Sequence, residues 1–361
     1  MKILSLGVKN FRNLDVQTIE FCDGLNVLQG KNAQGKTNTL EAIYLSTIGK
    51  SPKTRRDGEM IAFSHGHMEV LLKFEHLGTV KQIKLDVNHK QKSVYLNDVK
   101  LKKLSDVIGN FGSVYFSPEE LNLIKSGPSH RRRFLDIILC QQDKSYLSDL
   151  QTFQKIIAQR NSLLKQENAQ SQVFVWDKQL EIITKRLYEK RKKFVEKLNE
   201  VARPIHQKLT NNQEELEIQY DSQIDEESLK EFLNILQSSF EKDVLLGYTT
   251  FGLQNDDLSF KINKKDVKKH ASQGQQRTVV LALKLAELEI LKEDYGGYPV
   301  LLLDDVLSEL DSERREKLCE YLNNIQCILT CTDFDLNLPH TLFYVNEGKV
   351  VKAQKWNIYE G

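Results

Sequence analysis

Eight consecutive residues, Gly30-Lys31-Asn32-Ala33-Gln34-Gly35-Lys36-Thr37, have the types and spacing of a loop that wraps phosphates. Glycines five residues apart let the backbone curl until its N–H groups face inward, Lys36 adds a cation for the β and γ oxygens, and the Thr37 hydroxyl is suited to hold Mg²⁺. The run Leu25-Asn26-Val27-Leu28-Gln29 precedes the loop, and Leu40, Ile43 and Tyr44 follow it at helical spacing. Strand, glycine loop and helix thus come in the order a nucleotide-binding loop requires, which lifts the pattern above a chance match. Asn38, in the first turn of that helix, joins the candidate phosphate contacts.

A second chemical group lies far along the chain. Val300-Leu301-Leu302-Leu303 is wholly apolar, as in a strand buried on both faces, and it ends in Asp304-Asp305. An aspartate there binds Mg²⁺ beside a phosphate loop, so Asp304 is the second metal candidate after Thr37. Asp305 is then placed to orient or deprotonate an attacking water, the catalytic carboxylate to set beside Lys36. An acidic strand end also caps turns, and this pair takes its meaning from the loop. The third group is Ser272-Gln273-Gly274-Gln275-Gln276-Arg277, just ahead of an apolar helix at 278–291. A serine capping a helix beside a glycine makes an anion-binding terminus. Alone it is equally an ordinary cap, but it precedes the acidic strand, and Ser308-Glu309-Leu310-Asp311 follows that strand at once.

The elements that must position these groups fall into two kinds. Residues 1–125 open with strand-like runs at 2–8, 17–21 and 24–28, and alternation continues at 70–74, 82–87 and 93–96. All 18 glycines lie outside 128–246, and past Pro128 at its edge that stretch has Pro204 as its sole proline. Such a stretch favours long helix. Leu180, Ile183, Leu187, Phe194, Leu198 and Val201 recur on one helical face, and Pro204 is expected to end that helix. Beyond it Leu216, Ile218 and Tyr220 alternate with polar residues as in a strand. The expectation is an α/β head built from both chain ends, 1–125 and 206–361, with an α-helical arm inserted at 126–205.

The chain has 361 residues, 40% hydrophobic and 28% charged, an ordinary folded composition of a size for two units or one with an insertion. With 51 basic against 50 acidic side chains there is no global field for a polyanion, so any nucleic-acid contact has to come from local patches. The five cysteines are scattered and form no CxxC pair, which fits reduced thiols and speaks against zinc. No apolar window approaches a membrane span, and the N-terminal run is too short for a secretory signal. A cytoplasmic protein with no membrane partner is expected.

The ordered set of phosphate loop, signature serine and acidic strand resembles the ABC-type ATPase heads, in which the serine and glycine of one protomer complete the ATP site of another. Finer features resemble the RecF family of bacterial DNA replication and repair proteins. They are Lys9-Asn10-Phe11-Arg12-Asn13 near the start, Phe116-Ser117-Pro118-Glu119-Glu120-Leu121, Ile124-Lys125-Ser126-Gly127-Pro128, and Arg131-Arg132-Arg133-Phe134-Leu135-Asp136. The segments 271–277 and 302–311 complete a resemblance that runs the whole chain in order. It implies ATP and Mg²⁺ as ligands, adds Arg12 and Asn13 to the nucleotide contacts, and brings Ser272, Gly274 and Gln275 to them from a second copy. It also implies an ATP-dependent homodimer that clamps single- or double-stranded DNA at gaps or junctions. Weak, DNA-stimulated ATP hydrolysis would release the clamp, and RecR and RecO would be partners in loading the RecA recombinase. The chain departs from the family in three places. Gly252-Leu253-Gln254-Asn255-Asp256-Asp257 stands where the family has Gly-Pro-His-Arg-Asp-Asp. No histidine falls near Thr330-Cys331-Thr332-Asp333, where ABC heads often place one, and Asp305 replaces their glutamate.

Basic clusters occur at Lys50-Lys53-Arg55-Arg56, at Arg131-Arg132-Arg133 and at Lys261-Lys264-Lys265-Lys268-Lys269. Most charge runs are solvated faces. Lys53, Arg55 and Arg56, in a loop close after the nucleotide-binding helix, rank first for DNA, with Arg131 and Arg132 next. Contacts should be mainly to phosphates, since no base-reading module is visible. Two rivals remain at this level: a phosphotransferase with the helical segment as substrate lid, and an SMC-type structural ATPase, for whose long coiled coil the insertion is short.

Overall fold

The computed structural model describes residues 1–54, 56–166 and 169–356. The chain divides into two compact units, Met1–Leu121 with Val280–Gly361, and Asn122–Val279.

In the first unit one six-stranded sheet runs in the order Lys349–Trp356, His340–Asn346, Leu25–Gln29, Cys327–Cys331, Val300–Asp304, Ser113–Phe116. The five strands after the first are parallel to one another, and the first is antiparallel to His340–Asn346. Their apolar sequences follow from this, because a strand covered on both faces has no polar side: Val300–Asp304 and Cys327–Cys331 are buried at every position. The register sets Cys331 opposite Gln29 and Thr330 opposite Asp304. Parallel pairing therefore gathers the carboxyl ends of three strands, where ligands of open α/β sheets bind. The helix Lys36–Ile48 leaves the end of Leu25–Gln29. A second, antiparallel sheet orders Gln17–Glu20, Lys2–Lys9, His67–His76, Thr79–Asn88, Lys92–Leu96 and Val99–Lys100. Its period-2 pattern buries Met68, Val70, Leu72 and Phe74 against Ile83, Leu85 and Val87 on one face.

The second unit corrects the expected boundary at 205. The strand Leu216–Asp221 does not return to the nucleotide sheet; it pairs antiparallel with Asp257–Ile262, which pairs with Lys265–Asp266. That sheet, with the short helices Glu226–Lys230, Phe232–Ser238 and Phe240–Leu246, belongs with the long helices Pro128–Gln142, Lys144–Leu163 and Ala169–Leu209. Local alternation marks a strand but not the sheet it joins. The last helix, 41 residues and about 60 Å long at about 1.5 Å per residue, also passes through Pro204 instead of stopping there. Beyond the proline, Ile205, His206 and Leu209 continue the buried stripe begun by Leu180, Ile183, Leu187, Phe194 and Leu198. Burial of that stripe outweighs the one hydrogen bond the ring removes.

Buried guanidiniums hold this unit together. Arg160, with no exposed surface, bonds Asp177 at 2.7 Å, Asp243 at 2.6 Å and the Thr249 hydroxyl at 2.9 Å. Arg191 joins Asp136, Asp256 and the Tyr146 hydroxyl, and the Tyr220 and Ser222 hydroxyls also donate to Asp256. Burial drives the Tyr146 and Tyr220 phenols upward, so both remain protonated donors. Arg131, expected at a DNA surface, is buried: its Nε and Nη2 grip both Asp257 oxygens at 2.6 and 2.8 Å, and Nη1 donates to the Leu123 and Ser126 carbonyls. With no free donor face it is a structural clamp. Arg132 is half-buried and donates to the Asp256 carbonyl at 2.6 Å.

The positions of the Gly252–Asp257 segment that match the family become legible here. Gly252 needs its glycine at φ 136°, while Asp256 and Asp257 accept from Arg191 and Arg131. Asp256→Ala would leave Arg191 buried with its charge half-compensated and should lower the stability of this unit by about 3 to 5 kcal/mol. The urea midpoint followed by far-UV circular dichroism checks this, and an unchanged midpoint would contradict it.

Candidate nucleotide site

The phosphate loop is shaped by left-handed turns and held from behind. Ala33 and Gly35 have φ of 65° and 115°, and a Cβ on Gly35 would approach Leu14 to 2.9 Å. A Cβ on Gly30 would meet the Val345 carbonyl oxygen at 2.3 Å, so only glycine lets the loop leave the strand at that point. The hairpin turn Glu347-Gly348 braces the loop: Glu347 N donates to Gln34 Oε1 at 2.6 Å, and Gly348 N donates to the Gln34 carbonyl at 3.0 Å. Asn13 ties it on another side, donating to the Ala33 carbonyl at 3.3 Å and accepting from Asn38 Nδ2 at 2.7 Å. Inside the loop the buried Lys36 ammonium donates to the Gly30 and Lys31 carbonyls at 2.5 and 3.0 Å.

Asp304 is the fixed point of the site. Its Oδ1 accepts from the Thr37 hydroxyl at 2.7 Å and the Thr330 hydroxyl at 2.8 Å, and its Oδ2 accepts from the Tyr115 hydroxyl at 2.8 Å. Burial and the adjacent carboxylate push the Tyr115 phenol far up, so it stays a donor. Thr37 Oγ1 and Asp304 Oδ1 are hard oxygens separated by nearly the edge of an Mg²⁺ octahedron, about 2.9 Å for bonds near 2.1 Å. The pair therefore fits that ion. Asp305 follows with φ 53°, its N–H donating to the Thr330 hydroxyl at 3.0 Å and the Thr330 carbonyl at 3.2 Å. Its carboxylate makes no hydrogen bond among the described residues. A cavity of about 370 Å³ is lined by residues 32–38 with Lys53, Asp304, Asp305 and Thr330. A cation, two oxygens that fit a metal ion, the glycine loop and a free carboxylate thus share one opening, the equipment for phosphoryl transfer to water.

Not every expected contact behaves alike. Arg12, at φ 54°, places Nε and Nη2 on Glu41 at 3.1 and 2.7 Å and Nη1 on the Glu59 carbonyl. It compensates a carboxylate with no exposed side-chain surface, which is a supporting role. Glu41 also accepts from Ser51, whose Oγ receives the N–H groups of Lys53 and Thr54, so the basic loop is tethered to the nucleotide helix. Lys53 is exposed and faces the cavity, Arg56 is exposed, and Arg55 lies outside the described residues. Tyr115, Thr330, Glu41 and the 347–348 turn escaped sequence reasoning, and of these only Glu-Gly between two alternating runs carried a local signal.

The signature belongs to the second unit. Ser272 Oγ accepts from Gln275 N at 3.2 Å, and Gln275 Oε1 accepts from Ser272 N at 2.8 Å, a reciprocal cap on the helix Gln273–Tyr295. Gln275 Nε2 donates to Glu214 at 2.8 Å, so both ends of that amide are engaged within the chain. A Cβ on Gly274 would meet no atom closer than the Ser272 Oγ at 3.9 Å. Ser272 is exposed at this open end.

The family model for the RecF/RecN/SMC N terminal domain matches residues 2–336. The DNA replication and repair protein RecF of Acetivibrio thermocellus is 42% identical over 93% of this chain and 94% of its own. The RecF of Lachnoclostridium phytofermentans is 42% identical over 98% of this chain and 100% of its own.

The chain belongs to the RecF family.

A solved structure described as the recombination mediator protein RecF-ATP in the RecFOR pathway superposes with a TM-score of 0.92 at 35% identity, covering 98% of both chains. An Smc head bound to the C-winged helix domain of ScpA, at 15% identity and a TM-score of 0.59, shares the fold. The α/β ABC-type head expected from the motifs is therefore the architecture found, and the family's work is DNA replication and repair. Among the described residues no helix is long and apolar enough to cross a membrane. Tyr115→Phe removes one of three donors that orient Asp304 and should raise the Mg²⁺ concentration for half-maximal ATP hydrolysis about tenfold. A Mg²⁺ titration at saturating ATP tests this, and an unshifted midpoint would leave Tyr115 without that part.

Proposed function

We propose that the protein is an ATP-dependent DNA-binding ATPase in which two copies close around two nucleotides. The observation that carries this is the convergence of Thr37, Asp304 and Asp305 on the loop cavity, together with a second anion-binding helix end, at Ser272 and Gly274, open to solvent. Lys36 and the loop N–H groups hold the phosphates. Thr37 and Asp304 would hold Mg²⁺, which would supply charge neutralisation to the phosphates. Asp305 orients the attacking water, and because its side chain is a methylene shorter than the usual glutamate, hydrolysis is slow. The Ser272 cap and Gly274 of one copy meet the γ-phosphate of the other, so closure follows ATP binding and release follows hydrolysis. In this reading the protein acts at DNA gaps or junctions with RecO and RecR, ahead of RecA loading; relatives described as RecF and as a recombination mediator in the RecFOR pathway support a role in repair.

The phosphotransferase reading needs free arginines on a lid. Three arginines of the second unit, Arg131, Arg160 and Arg191, are buried in carboxylate pairs and cannot serve it. The 41-residue helix is likewise short for an SMC coiled coil.

Ser272→Arg fills the open helix end with a cation and should abolish ATP-dependent dimerisation in light scattering while nucleotide binding by the isolated chain persists; normal dimerisation would sink the model. Asp304→Asn should impair use of Mg²⁺. Asp305→Asn should trap an ATP-bound dimer with hydrolysis slowed about 100-fold or more. Hydrolysis at the parental rate would assign the water to another residue.

A further inference from the structure

The functional reading leaves one charged feature unused, the Lys261–His270 segment of the second unit. It carries five lysines and a histidine against one aspartate, in a chain whose charges otherwise balance. Its fold explains how those charges are displayed. The strands Asp257–Ile262 and Lys265–Asp266 are joined by the two-residue loop Asn263-Lys264, with φ of 49° and 67°. Positive φ at both positions is the tight turn that suits twisted hairpins, and it lifts Lys264 to the tip. The helix Val267–His270 follows directly, capped by Asp266, whose Oδ1 accepts from Lys269 N at 2.8 Å. Lys264, Lys265, Lys268 and Lys269 are exposed, as is Lys125 on the neighbouring helix Asn122–Lys125. Lys268 Nζ reaches back to the Ser126 carbonyl at 3.2 Å, which joins Lys125 to the same surface.

These ammonium groups differ from the unit's buried guanidiniums. Arg131, Arg160 and Arg191 are buried in carboxylate pairs, whereas Lys125, Lys264, Lys265, Lys268 and Lys269 form no ion pair among the described residues. The nearby acids are occupied: Asp266 caps the helix, and Glu215, whose N–H donates to Asn263 Oδ1, pairs with Arg203. Uncompensated surface charge at this density repels itself and is stable only while solvated, so it gains most from an extended anion that meets several ammonium groups at once. A single phosphate would engage one or two of them; a nucleic-acid backbone engages the row.

We propose that the hairpin and helix of Lys264, Lys265, Lys268 and Lys269, with Lys125 beside them, form a DNA-backbone-binding surface immediately ahead of the signature serine. The inference rests on the reading of the protein as a DNA-dependent ATPase and moves the principal phosphate contacts from the 53–56 loop to the second unit. Its place in the sequence matters. Ala271 N donates to the Val267 carbonyl at 3.2 Å, and Ser272 then caps the next helix, so a single residue separates the basic helix from the ATP signature. DNA seated on the lysines bears on the position of Ser272, which gives DNA a direct route to stimulating hydrolysis.

The test uses the full chain with Mg-ATP and fluorescein-labelled duplex DNA, with anisotropy read across a salt series. It compares wild type, Lys264/Lys265/Lys268/Lys269→Glu, the milder Lys264→Gln/Lys265→Gln, and Arg56→Glu. Wild type should bind with a steep salt dependence. The fourfold reversal should lose more than tenfold in affinity and about 3 units of log–log slope, and the double variant about 1 to 2. Basal ATP hydrolysis should persist in both while stimulation by DNA is lost, a readout that also shows the chains are folded. Arg56→Glu should change the slope less than the double variant. Full binding and stimulation in the double variant and in a folded fourfold variant would overturn this surface and leave the ATPase reading intact. Absence of DNA binding by wild type would instead sink the functional reading itself.

Discussion

The Asp304 carboxylate is the interaction on which the nucleotide unit depends. Buried at the end of an apolar strand, it would be costly to ionise without donors, and three hydroxyls supply them from three different elements. Thr37 comes from the nucleotide helix, Thr330 from the adjacent parallel strand and Tyr115 from the strand on the other side. One charge therefore registers the phosphate loop against the centre of the sheet. The same hydrogen bonds leave Asp304 Oδ1 and Thr37 Oγ1 together at the opening, where a divalent cation needs them. The Thr330 hydroxyl also receives the Asp305 N–H, which fixes the left-handed turn that puts the second carboxylate into the cavity.

The second unit solves a different problem with the same chemistry inverted. Long helices and a small three-stranded sheet are joined by buried guanidiniums whose carboxylate partners come from distant segments, Asp136 and Asp256 on Arg191, Asp177 and Asp243 on Arg160. Such pairs add little net stability over apolar packing, but each is strongly directional, and breaking one strands a buried charge. They fix which helix lies against which. Arg131, Arg160 and Arg191 are committed inward, and an exposed group of lysines lies where the chain turns toward the signature.

The motifs were legible because their chemistry is local. A glycine loop needs its residues within one turn of chain, an apolar strand ending in aspartates announces both burial and site, and a serine cap lies beside the helix it caps. Those constraints pointed to the nucleotide loop, to Thr37 and Asp304 as candidates for a metal, and to the α/β architecture that the family comparison shows. Three readings failed where the deciding partner was remote. The strand at 216–221 looked like a return to the first sheet, because alternation reports a half-buried strand and says nothing of its neighbour. Pro204 looked like a helix end, because a lost hydrogen bond is visible in sequence and the continuing buried stripe is not. Arg131 looked like a DNA contact until Asp257 closed on it from 126 residues away.

Sequence by itself determined which residues have the chemistry for phosphate and metal, since that depends on side-chain type and short spacing. Tertiary structure decided which charges remain available. Arg12 is taken by Glu41 and Arg131 by Asp257, while Tyr115 and Thr330, silent in the sequence, orient the Asp304 carboxylate. The reason is physical: whether a charge faces solvent or a buried partner is set by contacts between segments far apart in the chain, and no local pattern encodes them.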